Sequence, residues 1–223
     1  MTYRQIPNAI TAARLVLSVV FFTLLSWYQY EGRGHSTLLT WAFFICLVAI
    51  LTDFVDGYLA RLWKVESGFG RVVDPFVDKI LVLGSFVFFA GKNFIIPAPP
   101  GIGHAEVVHT ITGVTPAMVV VILGRELLVT SLRGLLESNG VAMGADRWGK
   151  YKMTFQSITI LVILAYLYGL GMVENHDKAA LPGYRKWAEM FRDSMIWLTL
   201  LITIASAYGY LRKGIETMRA GGR

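Results

Sequence analysis

Six long apolar runs decide what this chain can become. They lie at about Ile10–Tyr28, Thr37–Leu59, Val72–Phe94, Thr115–Leu136, Lys152–Gly171 and Met190–Tyr210. About 20 apolar residues in helical form cross a bilayer, so each run is long enough to span, the longer ones with some tilt. In hydrocarbon each must satisfy its own backbone groups, which makes each a helix. Length alone, 223 residues, would permit one or two soluble domains, but 55% hydrophobic against 16% charged residues places the chain with membrane proteins. The expected fold is all-α and integral to the membrane: a six-transmembrane-helix bundle forming one domain over residues 1–223. The first run has the basic start and apolar core of a signal peptide, but no small-residue cleavage site follows it, so it is read as a retained span.

Charge orients the bundle. The formal net charge is +6, but Lys and Arg cluster between apolar runs, not on a polar domain. That favours loops facing anionic lipid and argues against a nucleic-acid partner. Arg4, Arg61, Lys64, Arg71, Arg133, Arg147, Lys150, Lys152, Arg212, Lys213, Arg219 and Arg223 fall on one side. Arg33, Lys92, Lys178, Arg185, Lys186 and Arg192 fall on the other. The imbalance predicts both termini in the cytoplasm. Trp27, Trp41, Trp63, Trp148 and Tyr208 sit near span ends, as interfacial anchors do. Cys46 is the single cysteine, which rules out an intrachain disulfide. His104 and His109, on the Pro- and Gly-rich outer loop 95–116, read as plain loop histidines. Gly84, Gly91, Gly169 and Gly171 read as places where helices pack closely.

Against this apolar background stands "DFVDGYLARLWKVESGFGRVVDPFVDK", Asp53 to Lys79, with four aspartates in or beside spans two and three. A charge at a membrane-helix centre costs roughly 2.5–3.5 kcal/mol on insertion scales, so such residues call for a functional reason. At 100° per residue Asp53 and Asp56 lie about 60° apart on span two. Asp74 and Asp78 are i and i+4 on span three and share a face. A loop of roughly ten residues would bring the two faces together as a four-carboxylate cup at the cytoplasmic edge. Repulsion at low dielectric is relieved if cations bind or if some carboxylates stay protonated. Oxygen ligands without His or Cys suit Mg²⁺, Mn²⁺ or Ca²⁺, and a pair of such ions could clamp a phosphoryl transfer. Gly57, Ala60 and Gly70 leave room for a substrate against the backbone, and Arg61 could grip a phosphate. Pro75 suits a first helical turn, which would put Asp74 at an N-cap. Intramembrane acids also serve proton relays and cation paths, so a divalent-cation or proton transporter is the rival class. The apolar remainder of spans two and three speaks against it.

The spacing D-x2-D-G-x2-A-R-x8-G-x3-D-x3-D, filled by Asp53, Asp56, Gly57, Ala60, Arg61, Gly70, Asp74 and Asp78, resembles the signature of the CDP-alcohol phosphotransferases at all eight positions. The resemblance implies a six-helix membrane enzyme, a homodimer, with its active site at the cytoplasmic edge of a bacterial inner membrane. It implies transfer of a phosphatidyl or similar group from a CDP-linked donor to an alcohol, with release of CMP and two divalent cations, Mg²⁺ or Mn²⁺, as cofactors. Asp53, Asp56 and Asp74 would be metal ligands. Asp78 would be the catalytic base and a further contact to metal. Asp56, Gly57, Ala60, Arg61 and Gly70 would line the CDP pocket, and Asn8, Thr11 and Arg14 would reach the nucleotide.

"IPNAITAARL", "GRELLVTSLRGLL" and "GKYKMTFQ" resemble those members of the family that take CDP-diacylglycerol as donor and glycerol 3-phosphate as acceptor. Other members use phosphatidylglycerol, an inositol phosphate or serine. A phosphate-bearing acceptor needs cations, and Arg125 lies inside span four, where an unpaired arginine is costly. Arg133 follows two turns later, and Lys150 and Lys152 enter from the next loop. Arg125, Arg133, Lys150 and Lys152 are therefore the candidates for the acceptor phosphate. The bland alternatives are an ion pair of Arg125 with Glu126 or with one of the aspartates, and positive-inside anchoring for Arg147, Lys150 and Lys152. Adjacent helix residues do not face each other, so Glu126 is the weaker partner for Arg125.

Overall fold

A computed structural model describes residues 6–29, 36–63, 68–96, 109–138, 147–176 and 181–221. Six α-helices carry the fold: α1 (Ile6–Trp27), α2 (Ser36–Trp63), α3 (Gly68–Phe89), α4 (Pro116–Ser138), α5 (Arg147–His176) and α6 (Leu181–Gly221). A 3-10 turn, Lys92–Phe94, follows α3. The main packed pairs are α1 with α2 and α3, α2 with α5, α4 with α6, and α5 with α6. Each helix turns one stripe inward. On α1 it is Thr11, Arg14, Ser18, Phe21 and Leu25; on α6 it is Arg192, Ile196, Thr199, Thr203, Ser206 and Tyr210. Steps of three and four residues keep such a set on one helical face.

The outward faces are as apolar as the core. Val16, Val19, Val120, Leu127, Phe191, Trp197 and Leu201 are exposed, as are Trp27, Trp41 and Tyr208. Surface of this kind marks a membrane or partner contact, not water. Stretches long and apolar enough to cross a bilayer occur at Ala9–Trp27, Tyr151–Val173 and Pro182–Arg212, and shorter apolar helices run over Thr37–Asp53 and Lys79–Phe89. α4 is not among them; it carries Arg125, Glu126, Arg133 and Glu137.

Lipid tails are as apolar as leucine, so helix association in a bilayer rests on close packing and interhelical hydrogen bonds. Both occur here. A Cβ at Gly84 on α3 would lie 2.5 Å from Cζ of Phe22 on α1, and the missing side chain lets that ring stack on Phe88 at 5.2 Å. Phe21, Leu25, Phe86, Phe89, Phe94, Ile160 and Leu164 continue the same core. Between α5 and α6 runs a polar seam. The Thr159 and Thr199 hydroxyls meet at 2.7 Å, Gln156 Nε2 reaches Thr203 Oγ1 at 3.5 Å, and Ser206 Oγ donates to the Thr203 carbonyl at 2.7 Å.

The described part of the loop expected on the outer face is folded down onto the helices. Ile96 N–H donates to the His109 carbonyl, Ile111 N–H to that of Phe94, and Thr112 Oγ1 to that of Phe89. Buried Arg192 on α6 donates through Nη1 to the Ile111 carbonyl at 2.6 Å, and its guanidinium lies 4.5 Å from the Tyr166 ring centroid. Gly113 has φ +74°, and a Cβ there would lie 2.7 Å from Asp193 Oδ1 and 2.8 Å from Arg192 Nε.

Three expectations need correcting. α3 begins at Gly68, so Asp74 is an interior residue and not an N-cap. The helix runs through Pro75 because losing one backbone bond can be tolerated in a packed membrane helix. The third run does not stay helical to Phe94: α3 ends at Phe89, and a turn at Gly91 leads into the 3-10 segment. The sixth helix is longer than its apolar run at both ends, since polar residues from Pro182 onward and beyond Tyr210 still favour helix.

Candidate active site

The aspartate motif straddles the C-terminal part of α2 and the N-terminal half of α3, with Asp74 and Asp78 on one continuous helix. Of its side chains, Asp53 is described. Its Oδ1 accepts a hydrogen bond from Arg14 Nη1 at 2.7 Å, tying α1 to α2. The pair is lopsided: Arg14 is 1% exposed and the Asp53 side chain 44% exposed. Arg14 supplies a buried positive charge beside a partly exposed carboxylate. Thr11 is buried one turn before Arg14 on the same stripe. The side chains of Asn8, Asp56, Gly57, Ala60, Arg61, Gly70, Asp74, Asp78 and Lys150 lie outside the described residues. Among the described residues no cluster of three or more metal-binding side chains occurs, and three of the four motif aspartates fall outside that set.

A second polar locus opens beside this motif. A cavity of about 280 Å³ is lined by Lys79 from α3, Arg125, Glu126, Val129, Thr130 and Arg133 from α4, Gly149, Lys152 and Met153 from α5, and Tyr210 from α6. On α4, positions 126, 129, 130 and 133 follow i, i+3, i+4, i+7, which turns one face to the cavity. Lys79, the residue after Asp78, donates to Thr130 Oγ1 at 3.1 Å and so couples the motif helix to this wall. Arg133 Nη2 donates to the Tyr210 hydroxyl at 3.2 Å, and the Arg125 and Arg133 guanidinium groups lie 5.5 and 5.9 Å from the Tyr210 ring centroid.

Arg125 is held from two directions. Nε donates to Ser206 Oγ at 3.0 Å, and Nη1 donates to Glu126 Oε1 at 2.8 Å. The direct Arg125–Glu126 pair, expected to be the weaker partnership, is formed. The guanidinium sits at the end of a long flexible stem and can curl back to a neighbour that the Cβ vectors do not face. Lys152 Nζ bonds the same Glu126 oxygen. Arg125 Nη2 and Arg133 Nε are buried and have no hydrogen-bond partner among the described residues. A buried donor left unsatisfied is costly, by about 1–3 kcal/mol and more when charged, so these two atoms call for a partner that the described residues do not supply.

The cavity therefore gathers Arg125, Arg133 and Lys152 from the expected acceptor set, with four basic side chains against one carboxylate among the described residues. Lys79, Thr130 and Tyr210 were not among the expected site residues. Tyr210 had a signal in the sequence, since it continues the small-polar stripe Thr199, Thr203, Ser206 at four residues' remove. Thr130 had none. An anion fits this lining, and phosphate is the anion that several convergent arginines and lysines recognise best.

Residues 4–205 match the family described as CDP-alcohol phosphatidyltransferase. Similar proteins include three called CDP-diacylglycerol–glycerol-3-phosphate 3-phosphatidyltransferase. The one from Cereibacter sphaeroides is 27% identical, the match covering 96% of this chain and 97% of the relative. That from Bacillus subtilis strain 168 is 27% identical, covering 96% and 97%. That from Haemophilus influenzae is 27% identical, covering 93% and 92%.

Proposed function

Because the chain belongs to the CDP-alcohol phosphatidyltransferase family and is thereby a transferase of phospholipid biosynthesis, we propose that it moves a phosphatidyl group from CDP-diacylglycerol to glycerol 3-phosphate. The products are phosphatidylglycerophosphate and CMP. The observation that carries the acceptor assignment is the basic cavity beside the aspartate motif, lined by Lys79, Arg125, Arg133 and Lys152. At about 280 Å³ it is near the lower end of small-ligand clefts, roughly 300–1,000 Å³. That size suits a three-carbon phosphate monoester. Serine carries no phosphate to engage four basic side chains. The relatives of the same length bear the same activity in their names.

In the reaction, the acceptor hydroxyl oxygen forms a bond to the phosphorus that carries the diacylglycerol. The bond from that phosphorus to the bridging oxygen of CMP breaks, and the hydroxyl proton passes to Asp78 as general base. Arg125, Arg133, Lys150 and Lys152 hold the acceptor phosphate, so the hydroxyl arrives already oriented. Gly57, Ala60 and Gly70 leave space for the nucleotide, Arg61 grips its phosphate, and Asn8 and Thr11 reach it from α1.

The donor set fits divalent cations. Asp53 Oδ1 accepts from Arg14 and its side chain is partly exposed, which is compatible with a metal contact, and all four acids are hard oxygen donors. Asp53, Asp56, Asp74 and Asp78 would hold two ions, Mg²⁺ or Mn²⁺, which offset charge as the pyrophosphate bond breaks. The six helices span the membrane with both termini and the active site on the cytoplasmic side of a bacterial inner membrane, as the Lys and Arg bias predicts, and the enzyme works as a homodimer.

The test is CMP release by purified protein given CDP-diacylglycerol, Mg²⁺ or Mn²⁺, and separately glycerol 3-phosphate, phosphatidylglycerol, inositol 1-phosphate and serine. Glycerol 3-phosphate should support turnover and the others should not. Turnover with phosphatidylglycerol or serine alone would replace the acceptor assignment.

A further inference from the structure

Glu126 is out of place by charge. A cavity lined by Lys79, Arg125, Arg133 and Lys152 should bind an anion best without a carboxylate in its wall, yet Glu126 lines it and is 8% exposed. Its contacts indicate what it does. One oxygen, Oε1, accepts from Arg125 Nη1 on α4 and from Lys152 Nζ on α5. Arg125 Nε is in turn bonded to Ser206 on α6. A guanidinium is a rigid planar fork, so pinning Nε and Nη1 fixes the direction of Nη2. Nη2 is the buried donor with no partner among the described residues. Without Glu126 no described residue of α4 holds the fork, and among the described residues no carboxylate pairs with the two buried cations.

Resting on the acceptor reading above, we infer that Glu126 is the positioning residue of the acceptor-phosphate site. It does not touch the phosphate. It holds the Arg125 guanidinium and the Lys152 ammonium, both lining the cavity, in register across the α4–α5 interface.

Positioning and bare electrostatics give opposite signs, which makes the inference testable. If Glu126 merely subtracts charge, its removal strengthens phosphate binding; if it aims donors, removal weakens binding. The experiment uses full-length protein in lipid nanodiscs. Steady-state CMP release gives KM for glycerol 3-phosphate, KM for CDP-diacylglycerol, and kcat. Calorimetric titration with glycerol 3-phosphate and with inorganic phosphate gives binding without turnover. Glu126→Gln, close to isosteric, should raise the acceptor KM at least about tenfold, the scale of one misdirected charge-assisted hydrogen bond. The donor KM should hold, kcat should fall less than the acceptor KM rises, and both titrations should weaken. Glu126→Asp, which keeps the charge, should recover part of the loss. Lys152→Met serves as a second variant that removes one of the two clamped cations and should show the same KM split. An acceptor KM that is unchanged or lower in Glu126→Gln overturns the inference, as does a parallel fall in all constants together with a lower melting temperature. If the wild-type protein neither turns over nor binds glycerol 3-phosphate, the function proposal fails instead, and the two failures are distinct.

Discussion

Replacing Arg125 by methionine separates the acceptor site from the donor site, and its consequences can be worked through contact by contact. The substitution keeps most of the aliphatic stem and removes three donor nitrogens. The loss of Nε leaves Ser206 Oγ still bonded to the Thr203 carbonyl at 2.7 Å, so no orphan hydroxyl results. The loss of Nη1 leaves Glu126 still paired with Lys152. The Tyr210 ring keeps Arg133, at 5.9 Å. Breaking a fully buried ion pair usually costs about 3–5 kcal/mol, but here a second cation remains, so the fold should lose only about 1 kcal/mol, near a typical net hydrogen bond. The loss of Nη2 falls on the ligand. A hydrogen bond between charged groups contributes roughly 1.5–3 kcal/mol, and 1.4 kcal/mol is tenfold. KM for glycerol 3-phosphate should therefore rise about 10- to 100-fold, with KM for CDP-diacylglycerol within about twofold. The assay is CMP release, varying one substrate at a time, with a thermal melt to show that the protein is folded. A rise confined to the donor KM, or an unchanged acceptor KM, refutes the assignment of this cavity.

Other perturbations address other parts of the molecule. Asp78→Asn should abolish CMP release while CDP-diacylglycerol still binds in an equilibrium titration; full activity would remove it as the base. Gly113→Ala should lower the melting temperature, since a left-handed residue with a Cβ carries about 1–3 kcal/mol of strain and this Cβ would also press on Asp193 and Arg192; kcat should stay near wild type because the loop lies at the opposite end of the helices from the cavity. Arg14→Met should weaken Mn²⁺ binding, measured by electron paramagnetic resonance, because Asp53 loses the bond that orients it; stability should change by no more than about 1 kcal/mol, given that Asp53 is 44% exposed.

Helix number, the composition of the spans and the aspartate spacing were legible because each is local. Apolar runs of bilayer length announce themselves in any window, and the eight-position motif lies within 26 residues of one strand of sequence. The acceptor candidates were legible for a different reason: a charged residue inside an apolar run is anomalous, and Arg125 stood out on that ground. What could not be read was who meets whom across helices. Arg14 with Asp53, Lys79 with Thr130, and Arg125 with Ser206 join positions 39, 51 and 81 residues apart, and periodicity within one helix says nothing about its rotation against another. The Asp74 cap was misread because a proline looks the same at a helix start and inside a membrane helix, where neighbouring elements can satisfy the freed carbonyl.

The polar seam between α5 and α6 now has a structural purpose beyond glue. Thr159 with Thr199 and Gln156 with Thr203 join α5 to α6, Ser206 bonds the Thr203 carbonyl within α6, and Arg125 of α4 donates to Ser206. An arginine deep in a membrane bundle is stable only if its surroundings are polar on the side away from its ligand. The seam supplies that side and leaves the other open to the cavity. α3 completes the arrangement from the opposite wall, where Lys79 reaches Thr130 and the preceding position is the motif's last aspartate. Adjacent residues on a helix are about 100° apart, so positions 78 and 79 lie on different faces of α3. Under the proposed function, a bound three-carbon phosphate would place its charge among α4, α5 and α6 and its hydroxyl toward α3.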